Sequence, residues 1–117
     1  MTDNKATTVA QAKSQMLVLP EFKHWRRFAA LIDGYQIAEE LELDYRSWYK
    51  IQLQHWQTSQ TWGLDVLHLR LMLFFAFRSD YMTGYTYTEH DEIVDSLLHA
   101  LAHKLNLPYS GKHSDGK

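Results

Sequence analysis

No cysteine occurs among the 117 residues, which excludes disulfides, thiolate chemistry and cysteine-ligated zinc or iron–sulfur centres. Stability must come from packing. Proline occurs twice and glycine five times, with the glycines at 34, 63, 84, 111 and 116 standing apart from one another. A glycine-rich phosphate loop is therefore missing, and with it the usual signature of a nucleotide enzyme. Long hydrophobic runs are also missing. The most apolar stretch, Leu64 to Phe77, is interrupted by Asp65, His68 and Arg70 and falls short of the roughly 20 apolar residues that cross a bilayer. Met1 to Lys5 carry acid and amide side chains where a secretory signal needs a basic segment and then an apolar run. These features predict a cytoplasmic protein without a membrane association. Neither charge sign dominates: a net charge of −2 argues against a chain built around a basic nucleic-acid surface, although a local basic patch survives on an acidic protein.

What is present suits one compact domain. The composition is 45% hydrophobic and 14% aromatic, enough for one core and too short a chain for two ordinary domains. Residues 1–15 read as a polar lead, either disordered or a short helix docked through Met16, Leu17 and Leu19. Pro20 suits a helix's first turn, and Phe22, Trp25, Phe28, Ala29 and Ile32 follow at helical spacing. Asp33-Gly34 marks a reversal. A second helix runs from Tyr35 to Leu41, and Asp44 caps a third that carries Trp48, Ile51 and His55 on one face and stops at Gly63.

Residues 64–77 satisfy two periods at once. Leu67, Leu69, Leu71, Leu73, Phe75 and Phe77 alternate as in a strand, while Leu64, Leu67, Leu71, Phe74 and Phe75 make a helical face. Leu, Met and Ala favour helix, and Val66 is the one β-branched residue in the segment. The last helix begins near Thr86 or Thr88, carries the stripe Ile93, Val94, Leu97, Leu98, Leu101 and Leu105, and ends by Pro108. Residues 110–117 read as a disordered tail, leaving 16–109 as a single helical domain. The expectation is an all-α bundle of four or five helices. Its alternative is an α+β fold with a hairpin at about 66–87, like a winged helix.

Residues 37–51 resemble a helix-turn-helix. In that motif a small residue lets the second helix cross closely, apolar residues hold the turn, and the second helix offers polar side chains to the major groove. Ala38 matches the small position, Leu41 and Leu43 the apolar ones, and Tyr45, Arg46, Ser47, Tyr49 and Lys50 the outward ones. Two positions depart from the pattern: Glu42 stands where glycine usually relaxes the turn, and Trp48 where a smaller β-branched residue usually points inward. Glu39, Glu40, Glu42 and Asp44 also repel phosphates. The resemblance implies a DNA-binding regulator using Arg26, Arg27, Arg46, Ser47, Tyr49 and Lys50.

Two other constellations compete. Asp95, His99 and His103 recur every fourth residue, and histidines four apart on a helix chelate metal in some proteins. No Glu follows His99, so the zinc-protease signature is not met. The second constellation is aromatic: Tyr45, Tyr49 and Trp56 beside Arg46 have the composition of binding hot spots. No nucleophile-and-base spacing appears among His24, His55, His68 and His90. The sequence therefore points to a non-enzymatic regulatory or adaptor domain without a cofactor. Its expected contacts are Tyr45, Arg46, Tyr49 and Trp56, and its expected partner is another protein or a second copy. DNA is the first alternative, and a metal on Asp95, His99 and His103 the second.

Overall fold

The computed structural model describes residues 9–17, 24–78 and 87–109. They form six helices, α1 Val9–Met16, α2 Trp25–Leu31, α3 Gly34–Glu40, α4 Tyr45–Ser59, α5 Val66–Arg78 and α6 Tyr87–Leu105, with no strand among the described residues. The fold is all-α, as expected. No helix is long and apolar enough to cross a membrane among the described residues. The expected tail, 110–117, lies outside the described residues, as do 1–8 of the lead. Residues 9–15 of that lead belong to α1, the short helix that was one of the two expectations for it, and bring the described helices to six where four or five were expected. It docks through Met16, which is buried, while Leu17 is exposed and Leu19 lies outside the described residues.

The winged-helix alternative fails at residues 66–78, which are helix. The cause of the ambiguity is visible in the packing. α5 lies at the centre, against α2, α3 and α6, and every residue from Leu69 to Ala76 is buried. A helix enclosed on all sides needs apolar side chains at every angle, so its 3.6-residue period disappears. Asp65 starts it: one carboxylate oxygen accepts from the His68 N–H at 2.8 Å and meets the His68 ring Nδ1 at 2.7 Å. Partial burial pushes the Asp65 carboxyl up, but these bonds and the nearby charges of His68 and Lys104 outweigh it and hold the group below its ordinary value. At the far end, His90 Nε2 lies 2.9 Å from the Ala76 carbonyl in the last turn of α5. Against this axis α6 lays its expected stripe, with Ile93, Val94, Leu97, Leu98 and Leu101 buried.

Helix ends are set by residues other than glycine. Glu42, Gln60 and Asn106 take left-handed φ values of 59°, 60° and 58°. After α3, the Glu42 N–H bonds the Glu39 carbonyl at 3.0 Å and the Leu43 N–H bonds the Ala38 carbonyl at 2.9 Å, the paired bonds of a Schellman cap. α6 repeats the cap with Asn106 and Leu107 on His103 and Ala102, and α4 ends earlier than Gly63, with the Gln60 N–H on the Trp56 carbonyl at 2.6 Å. A Cβ in the left-handed region costs about 1–2 kcal/mol. Glu42→Gly should therefore raise unfolding stability by about 1 kcal/mol in urea titration. Asn106→Gly should gain less, since Asn tolerates that conformation.

Gly34 serves close approach rather than reversal. It is the first residue of α3, which Asp33 caps by accepting the Gln36 N–H at 3.2 Å. A Cβ on Gly34 would lie 2.5 Å from Phe74 Cδ2 and 2.8 Å from two further ring carbons. Phe74 is itself buried and edge-packed on Tyr35 and Phe75, so its ring has little room to yield. Gly34→Ala should destabilise the fold by about 2 kcal/mol through overpacking. Urea melts of the variant with and without Phe74→Leu check this, since the smaller side chain should recover part of the loss.

Candidate functional site

α3, the turn at residues 41–44 and α4 supply the helix-turn-helix-like unit. Ala38 is fully buried where the helices meet, and Leu41 and Leu43 are half-buried in the turn. Glu42 provides the left-handed turn that glycine supplies in the motif. Asp44 precedes α4, its carboxylate accepting the Ser47 hydroxyl at 3.2 Å.

α4 is held by aromatic packing on one residue of α5. The Phe75 ring has Tyr45 stacked at 5.5 Å, Tyr49 edge-on at 5.9 Å and Trp48 edge-on at 6.3 Å. Tyr49 and Leu53 are buried. This corrects the expected orientation of Tyr49, which faces the core and is not a surface contact in this structure. Tyr45, Trp48 and Trp56 are half-buried beside it. The inward face thus runs through 45, 49 and 53 with 48 and 56 on its flanks, because these positions carry the bulkiest apolar surface. Ile51 and His55, expected on the Trp48 face, stand exposed instead.

The outer face consists of Arg46, Ser47, Lys50, Ile51, Gln54, His55 and Thr58, all exposed. Ile51 is 57% exposed, and its helical neighbours at three and four residues' distance include Ser47, Gln54 and His55. Arg46, Ser47 and Lys50 are accordingly where the sequence puts them. Arg27 is exposed on α2, and the side chain of Arg26 lies outside the described residues. Trp56 stacks on Trp62 at 5.6 Å with the rings 8° from parallel. Trp62 in turn donates its indole N–H to Ser96 Oγ at 3.0 Å, and the Ser96 hydroxyl donates to the Ile93 carbonyl at 2.8 Å. The segment after α4 is thereby pinned to α6, a tether that spans 34 residues of sequence and left no local signal.

The residues of the metal reading are engaged differently. Asp95 Oδ1 accepts the Tyr109 hydroxyl at 2.8 Å, and Asp95 Oδ2 lies 3.5 Å from His99 Nε2. The His99 ring packs edge-on against Tyr109 at 4.6 Å. His103 is exposed, and no group of three or more His, Asp or Glu side chains converges as metal ligands would among the described residues. Helical spacing stacks Asp95 and His99, but Tyr109, from beyond the helix, takes the carboxylate. Nearby, Thr88, Asp91, Glu92 and Asp95 line a shallow acidic depression on α6. No protein-family model, curated protein or solved structure matches the chain.

Proposed function

We propose that this chain is a non-enzymatic binding domain that presents the outer face of α4 to a protein partner, in a regulatory or adaptor role. The observation that carries the reading is Ile51, 57% exposed within a rim of Ser47, Gln54, His55 and Thr58. A single exposed apolar side chain is ordinary. An apolar centre with a polar rim on one helix face, bordered three residues earlier by the half-buried ring of Trp48, is the anatomy of a protein interface. Arg46, Lys50 and Ile51 are the primary contacts, with Trp48 at the edge and Tyr49 removed to the core.

Site-specific photo-crosslinking tests this. With benzoylphenylalanine in place of Ile51, discrete protein adducts should form in cells. With the same group in place of His103, exposed on α6, they should not. An adduct of twice the chain's mass would identify a second copy as the partner. Absence of adducts at 51, or an equal pattern at both positions, would remove the reading.

Duplex DNA is the second reading, favoured by one observation: Glu42 takes the left-handed φ of 59° at the glycine position of the helix-turn-helix turn, ahead of exposed Arg46, Ser47 and Lys50. Fluorescence anisotropy with a mixed-sequence duplex at low and moderate salt separates the two readings. Salt-dependent binding lost in the Arg46→Ala, Lys50→Ala double variant would put DNA first.

A further inference from the structure

We propose that α1 is a detachable strap, which opens as a unit from α3 while α2 to α6 remain folded and so gives the chain a covered and an uncovered state. This does not depend on the α4 reading above. Little of α1 is buried. Ala10, Gln11, Ser14 and Gln15 are exposed, Lys13 is half-buried, and Met16 is the one buried side chain among those described. By contrast, α5 is buried continuously from Leu69 to Ala76, and α6 buries Ile93, Val94, Leu97, Leu98 and Leu101. An element with few buried apolar contacts opens at a free energy well below that of global unfolding.

The described attachments of α1 gather in its second half, and none of them resists opening strongly. Met16 enters the core, its carbonyl accepts from the Arg70 guanidinium, and Lys13 meets Glu40 at 3.8 Å at the surface. A surface ion pair contributes little. When α1 lifts, water takes the place of the Met16 carbonyl on the guanidinium, so only the difference between two hydrogen bonds opposes the step. Eight residues are too few for a helix to stand alone in water. The freed strap therefore loses its helix as well, and its amides and the Met16 side chain become accessible together.

α3 has enough support of its own to stay in place. Asp33 caps its start by accepting the Gln36 N–H at 3.2 Å, and the Glu42 and Leu43 N–H groups close its end at 3.0 and 2.9 Å. It also packs on α4 and α5, with Tyr35 edge-on to Phe74 at 5.3 Å. Opening thus ends at α1. What it uncovers is the seat of the Met16 side chain and the part of α3 beneath the strap, a surface whose occupant in the closed state is α1 itself.

Native-state hydrogen exchange of the full chain, at several urea concentrations below the unfolding transition, tests this. The amides from Lys13 to Leu17 should share one opening constant, exchange at least about 100-fold faster than those from Leu71 to Phe75, and depend only weakly on urea. Thiol labelling supplies a second measurement, since the chain contains no cysteine. Met16→Cys should react with a soluble aromatic disulfide at least about tenfold faster than Val94→Cys, although both positions are buried. The cysteine at 16 itself weakens the anchor, so exchange in the wild-type chain decides where the two measurements disagree. Exchange of the α1 amides at the rate and urea dependence of α5 would overturn the proposal, because α1 would then open only with the whole fold. Rates graded residue by residue from Lys13 to Leu17 would overturn it too, by showing end fraying instead of a unit that opens.

Discussion

Replacing Phe75 with alanine should cost about 4 kcal/mol of folding stability, in the middle of the range for deleting a buried aromatic ring. Phe75 is fully buried, and five rings surround it: Tyr35 at 5.8 Å, Tyr45 at 5.5 Å, Trp48 at 6.3 Å, Tyr49 at 5.9 Å and Phe74 at 5.3 Å. Removing it opens a cavity among large, rigid side chains that cannot collapse without leaving their own contacts. A domain of this size has about 5–15 kcal/mol in total, so the variant should fold at low temperature and melt early. The loss should also be localised. Three of the five rings belong to α4, which makes Phe75 the main attachment of the proposed binding face. Hydrogen exchange should therefore accelerate more in α4 than in α6, and binding at α4 should weaken although no contact residue has changed. Phe75→Leu keeps most of the volume and should cost about 1.5 kcal/mol. A uniform acceleration across all helices would show that α4 has no separate dependence on this ring.

The same packing explains which parts of the molecule could be read from its sequence. α6 was legible because one face is buried and the other wet, so Ile93 to Leu105 keep a clean helical stripe. α5 was ambiguous for the opposite reason: burial on every side erased its period. α1 was half seen, since Met16 is its one side chain among those described that enters the core, and a single anchor gives no pattern. The end of α4 misled, because Gln60 takes the left-handed position and stops the helix ahead of Gly63, while α3 ends beside Leu41 and α6 ahead of Pro108, as expected. On α4, Arg46, Ser47 and Lys50 were placed outward correctly because they are polar in any register. Tyr49 and Ile51 exchanged roles. Two apolar faces compete on this helix, one through 48, 51 and 55 and one through 45, 49 and 53, and only the position of Phe75 decides between them. The Trp62–Ser96 and Tyr109–Asp95 bonds are tertiary, and no local spacing encodes them.

Arg70→Ala should destabilise the fold by about 3 kcal/mol, while Arg70→Met should cost only about 1 kcal/mol. Arg70 is 1% exposed in the middle of α5, its guanidinium donating to the Met16 carbonyl at the end of α1 and lying 5.9 Å from the Trp25 ring centroid. Burial pushes its pKa below the ordinary arginine value, but that value starts so high that the group stays protonated at physiological pH. The side chain thus combines a costly buried charge with a long stem that fills space. Alanine loses the stem, the hydrogen bond and the ring contact together. Methionine keeps a flexible stem of similar length and relieves the desolvation of the charge, losing chiefly the bond to Met16. The two variants should nonetheless agree in one readout. In both, amide exchange in the last turn of α1 should rise, because the surface Lys13–Glu40 pair, 3.8 Å apart, is too weak to hold the helix alone. Wild-type protection of α1 in Arg70→Met would show that Met16 packing, and not the guanidinium, is the tether. Since α1 packs on α3, and α3 leads through the Glu42 turn into α4, loosening α1 should reach the binding face only through α3. Arg70→Met should therefore leave the yield of crosslinked adducts at position 51 within about twofold of wild type, in contrast to Phe75→Ala, which acts on α4 directly.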